Sequence, residues 1–89
     1  MRFNKDSDAV LDYRLDWSQW LPGGDTITTS TWTATPNTIT VDDTLHTPTT
    51  ATVWLSGGTT GVRYQVTNHI VTAAGREDDR TLRITIKEM

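Results

Sequence analysis

Val62-Arg63-Tyr64-Gln65-Val66-Thr67-Asn68-His69-Ile70-Val71, followed after a polar break by Leu82-Arg83-Ile84-Thr85-Ile86, decides the fold. Val62, Tyr64, Val66, Asn68 and Ile70 alternate with Arg63, Gln65, Thr67, His69 and Val71, and Leu82, Ile84 and Ile86 alternate with Arg83, Thr85 and Lys87. A period of two sends one set to a core and the other toward water, so both runs are strands. Ala73 to Arg80 between them is polar and carries Gly75, which predicts a loop joining the two as an antiparallel hairpin. Two strands do not bury their apolar face alone, so the rest of the chain must cover it.

Working outward, Leu11, Tyr13, Leu15 and Trp17 alternate with Asp12, Arg14 and Asp16 and predict another strand. Pro22-Gly23-Gly24 marks the turn that follows. From Thr26 to Ala34 the alternation breaks: Ile27 and Trp32 lie an odd number of positions apart, so both face a core only across a bulge or a change of sheet. Thr38 to Val41 reads as a short strand, Asp42-Asp43 as a turn, and the segment to Pro48 as a loop or a short edge strand. Thr50 to Ser56 resumes alternation with Ala51, Val53 and Leu55 inward and Trp54 outward. Residues 1–8 are polar and without period and read as an extended N-terminal arm, leaving residues 9–89 as one domain. Turn signals at this spacing predict an all-β, immunoglobulin-like Greek-key sandwich of six to seven short antiparallel strands. Tyr64, near the start of the penultimate strand, either bonds its hydroxyl back to nearby backbone or is a half-buried core tyrosine.

Composition narrows the function classes. With 89 residues there is one core, resting on about a dozen inward side chains that contribute roughly 1.5–3 kcal/mol each. The 19 threonines suit a pleated surface and disfavour helix. Cysteine is absent, which removes disulfides, thiolate zinc sites and cysteine nucleophiles. A net charge of −3 without a Lys/Arg cluster argues against nucleic acid. No apolar run approaches the roughly 18 residues of a membrane span, and the N-terminus lacks the hydrophobic stretch of a signal peptide, so synthesis in the cytoplasm is expected.

The search for catalysis returns little. His46 and His69 have no ligand or triad spacing around them. Asp6, Asp8, Asp12 and Asp16 read as solvated charges, and Asp42-Asp43 with Glu77-Asp78-Asp79 lacks a calcium-loop motif. No cofactor or metal is implied, and the reading is non-enzymatic. Four tryptophans need places: Trp17 and Trp32 fit the core, Trp20 lies near a turn, and Trp54 points away from the apolar face of its strand. Exposed aromatics anchor protein interfaces. The candidate partner-binding residues are therefore Trp54, Trp20, the charged segment with Arg76, Asp78, Asp79 and Arg80, and Arg2 and Phe3 of the arm.

The runs Lys5 to Tyr13, Asp16 to Leu21, Gly24 to Ile27, Ser30 to Trp32, Thr52 to Gly58, Tyr64 to Asn68 and Gly75 to Arg80 together resemble a family of small tailed-phage and prophage virion proteins, the phage fibre-tail adaptors, over residues 5 to 86. The resemblance implies an immunoglobulin-like fold and a structural place at the tail or neck of the virion. It implies contacts with other phage tail, neck or fibre proteins, in multiple copies within a symmetric assembly. The alternatives are a carbohydrate-binding sandwich that stacks sugars on Trp20 or Trp54, and a capsid decoration protein.

Overall fold

The computed structural model describes residues 2–5 and 10–87, without the side chains of residues 2–4. Its strands are β1 (Arg2–Lys5), β2 (Leu11–Asp16), β3 (Ile27–Thr35), β4 (Ile39–His46), β5 (Thr50–Gly57), β6 (Arg63–Thr72) and β7 (Glu77–Ile86). One sheet has the order β1-β7-β6-β3 and the other β2-β5-β4. The two enclose a core that includes Leu15, Trp17, Val53, Leu55, Tyr64, Val66, Ile70, Leu82 and Ile84, each 1% exposed or less. Fold class therefore agrees with the alternation in the sequence. The two sheets, β2-β5-β4 and β1-β7-β6-β3, make an all-β sandwich.

Residues 2–5 depart from the arm expected of them. They form β1, which runs parallel to β7 with Arg2 opposite Arg83 and Lys5 opposite Ile86. Residues 1 and 6–8 of that expected arm lie outside the described residues. Four residues with one apolar member show no period, and the decisive side chain is a lysine. Lys5 is fully buried, and its Nζ donates to the Gly57 carbonyl at 2.9 Å. Burial of an ammonium is tolerated only when its protons are taken up, so sequence pattern alone does not identify such a position.

Two bulges settle the irregular strands. In β3 the register slips between Ile27 and Thr29, which lets Ile27 and Trp32 both point inward, as their odd spacing requires. In β4 it slips between Val41 and Asp43. Asp42-Asp43 is therefore not the expected turn. The extra residue is absorbed in the ladder, and the strand runs on to His46.

The hairpin pairs along its whole length, with Tyr64 opposite Ile84 and Val71 opposite Glu77. Its loop is shorter than the expected 73–80. Thr72 and Arg76 close it, the Gly75 N–H donating to the Thr72 carbonyl at 2.9 Å and Gly75 holding φ 83°. A turn followed by a left-handed glycine is a standard three-residue hairpin loop, so Glu77 to Arg80 are released to pair within β7. At the other end Tyr64 is fully buried, and its hydroxyl accepts the Thr59 N–H at 2.8 Å and pairs with the Thr38 hydroxyl. Of the two readings of Tyr64, the one bonded back to backbone is the one observed. Gly58 lies beside it at φ 97°, and a Cβ there would stand 2.8 Å from the Ile86 side chain, so only glycine lets the chain cross the core at that point.

Candidate functional site

Three connections meet at one end of the sandwich: residues 17–26, residues 47–49 and the 73–76 turn. Backbone bonds tie them, from Trp17 N to Thr49 O (2.8 Å), Ile27 N to Pro48 O (2.9 Å) and Ala73 N to Thr26 O (2.9 Å). Trp17 is their hub. Its indole Nε1 donates to Asn68 Oδ1 at 3.0 Å, and the Asn68 amide in turn donates to Ser30 Oγ (2.8 Å) and the Thr31 carbonyl (3.1 Å). A fully buried polar side chain is thus satisfied on both sides, which is the condition for its presence in a core. Arg80 covers the outside of the ring with its guanidinium 4.2 Å from the centroid, and Trp20 meets it edge-on at 5.4 Å.

Asp25 pins this end. Its Oδ1 accepts the N–H groups of Thr26 (2.9 Å) and Ala74 (3.1 Å), and Oδ2 faces Arg76 Nε at 3.9 Å. Burial pushes the carboxyl up, but the Thr72 hydroxyl, the two N–H groups and the Arg76 charge outweigh it and hold the group below the ordinary carboxylate range. Beside it runs an open groove lined by the Pro22–Asp25 turn and by Ala73, Ala74 and Arg76.

The outer face of the β2-β5-β4 sheet is built differently. Trp54 stands at its centre, half-buried, with Asp12 of β2 and Asp43 of β4 as cross-strand neighbours. Leu45 lies on the same face opposite Thr52 and is 58% exposed. The bulge puts it there. Val41 and Leu45 are four residues apart and share a parity, yet Val41 opposes inward Leu55 while Leu45 opposes outward Thr52. A sequence reading that makes Asp42-Asp43 a turn has no means to find Leu45. Val10 and Leu11, 63% and 38% exposed, lie where β2 begins. For Leu11 this departs from the inward place its alternation gave, because the strand end lies at the rim of the core.

On the outer face of β6 and β7, His69 sits between two carboxylates. Its Nδ1 contacts Asp79 Oδ1, and its Nε2 lies 3.0 Å from Glu77 Oε1. The bond to Asp79 first, then that to Glu77, raises the imidazole above its ordinary value. Among the described residues no group of three His, Cys, Asp or Glu side chains is placed to hold a metal.

The candidate residues from sequence therefore fall in separate places. Trp20, Arg76 and Arg80 gather at the loop end, where Arg80 is already engaged by Trp17 and the Asp16 carbonyl (3.1 Å). Asp78 is exposed on β7 with its carboxylate on the Asp79 N–H, Asp79 holds His69, and Trp54 occupies the other sheet. Arg2 and Phe3 lie in β1, on the strand beside β7. The described residues offer open faces and an open groove.

The family model of the podophage GP4 fiber-tail adaptor protein gp77 matches residues 5–85. The chain belongs to this family. It is a structural phage protein of the fibre-tail adaptor type, and virion tail is the location the family name carries. No curated protein matches the chain. The match spans β2 to β7 almost entirely and so includes the loop end, the hairpin and the Trp54 face alike.

Proposed function

We propose that this adaptor is a non-enzymatic connector that bridges tail or neck and fibre components through protein–protein contacts, in several copies per virion, with the outer face of β2-β5-β4 as its main docking surface. The observation that carries the reading is the Trp54–Leu45 pair. A half-covered tryptophan beside a leucine 58% exposed, rimmed by Asp12, Arg14 and Asp43, has the layout of an interface anchor with a polar border. A bridge needs a second contact, and the groove beside Arg76 supplies it at the loop end, with Trp20 and Asp78 on the same end of the molecule. Synthesis in the host cytoplasm precedes assembly.

Immunogold electron microscopy of intact virions of the encoding phage, with antibody against the purified chain, tests this reading. Label at the tail or neck is expected. Label confined to the capsid would make the chain a decoration protein, and absence of the protein from blots of denatured virions would overturn a structural role altogether.

A further inference from the structure

Among the described residues four strands are sheet edges, and three of them are defended against pairing with another chain. β1 is only four residues long, β2 alternates Asp12, Arg14 and Asp16, and β4 combines Asp42-Asp43 with a bulge. β3 is not. Its nine residues, Ile27-Thr28-Thr29-Ser30-Thr31-Trp32-Thr33-Ala34-Thr35, hold no charge and no proline, and among the described residues no strand pairs with the side of β3 opposite β6. The bulge sits near one end, between Ile27 and Thr29, so the ladder from Thr29 opposite Val71 to Thr35 opposite Gln65 is regular.

That regular stretch reads nearly the same in both directions: Thr, Ser, Thr, Trp, Thr, Ala, Thr. We infer that the β3 edge is a homotypic interface, in which two copies of the chain pair β3 antiparallel about a two-fold axis at Trp32 and join two four-stranded sheets into one. In this register Thr29 opposes Thr35 of the partner subunit, Thr31 opposes Thr33 of the partner subunit, Ser30 opposes Ala34 of the partner subunit, and the two Trp32 rings meet at the axis. The faces match. Thr29, Thr31, Thr33 and Thr35 are all exposed, whereas Ser30, Trp32 and Ala34 are partly or fully covered, and an axis through a residue keeps each parity with its own kind. The outer face gains a threonine ladder, the inner face an aromatic pair flanked by small residues. A shift of one residue would set threonine against tryptophan and turn every pair to the wrong face. An isologous contact of this kind needs a self-complementary segment, and β3 is one. The inference rests on strand geometry and stands apart from the docking role of the Trp54 face.

Sedimentation velocity of the full chain across micromolar to millimolar concentrations tests it. The expected result is a species of twice the 10.0 kDa chain mass at high concentration. Thr31→Lys with Thr33→Lys sets lysine against lysine and is expected to leave only the monomer with an unchanged circular dichroism spectrum. Thr31→Lys with Thr33→Asp sets each new charge against its opposite and is expected to restore the dimer. Hydrogen exchange of the wild-type chain needs no variant: amides of Thr29 to Thr35 should exchange more slowly at high concentration than at low. A monomer at every concentration, a dimer indifferent to the paired lysines, or a dimer whose β3 amides show no added protection would overturn the inference.

Discussion

Trp17 and Trp54 are the same side chain in opposite circumstances. Trp17 is fully buried, hydrogen-bonded through its nitrogen to Asn68, capped by Arg80 and braced by Trp20. Trp54 lies half-covered on an outer sheet face, between two aspartates and near an exposed leucine. The Asn68 and Arg80 contacts of Trp17 join parts of this chain that are far apart in sequence, so its ring is already engaged in the fold. Trp54 keeps part of its apolar surface facing solvent, and that is the surface another protein can cover. What separates the two is the neighbourhood, not the residue, and the proposed docking role of Trp54 rests on that difference.

The contrast has measurable consequences, and the largest belongs to Trp17. Trp17→Ala removes a fully buried ring that bonds Asn68 and packs against Arg80 and Trp20, and is expected to lower stability by about 3–5 kcal/mol, enough to unfold a small domain or nearly so. Urea unfolding followed by circular dichroism checks it, and a loss near zero would erase the distinction between the two tryptophans. Asn68→Ala comes next. It leaves the Trp17 Nε1–H buried without an acceptor and is expected to lower stability by about 1–3 kcal/mol, read from the urea midpoint at constant slope.

Most of the hairpin, β2 and β5 were legible because their alternation is regular, and the inward parity fails only toward strand ends, at Leu11 and at the start of β7. Trp54 was legible for the same reason: one residue out of step with Val53 and Leu55, it had to face outward. Leu45 was hidden by the bulge that reverses parity in the middle of β4. Glu77 to Arg80 look like a loop by charge, yet Glu77 and Asp79 are matched across the ladder by His69, and Arg80 by the Trp17 ring. Charge in a strand is readable only with its partner, and that partner sits 8 to 63 residues away. The role of Asn68 was equally hidden. Alternation placed it inward but said nothing of the indole it would serve. β1 was missed because a buried lysine bonded to Gly57 leaves no apolar period.

The smallest stability effect follows from His69, whose charge lies on an exposed face. Its folded-state value is raised by Asp79 and Glu77. The stability it contributes is therefore fully present below the unfolded histidine value of about 6.5 and is lost as pH rises through the higher folded value. The urea midpoint should fall over that window. In Asp79→Asn the fall should be smaller, and a proton NMR titration of the His69 ring should show its midpoint moved to lower pH. An unchanged titration in that variant would mean the carboxylate contact is not held in solution.

On the proposed reading the Trp54 face serves the assembly and leaves the fold to the core around Trp17. Its most direct test is the incorporation of Trp54→Ala into virions, quantified by blot against wild type, with circular dichroism and a urea midpoint establishing that the variant chain is folded. A folded protein that is depleted from virions is expected. A folded variant incorporated at the wild-type level, with normal fibre attachment, would contradict it.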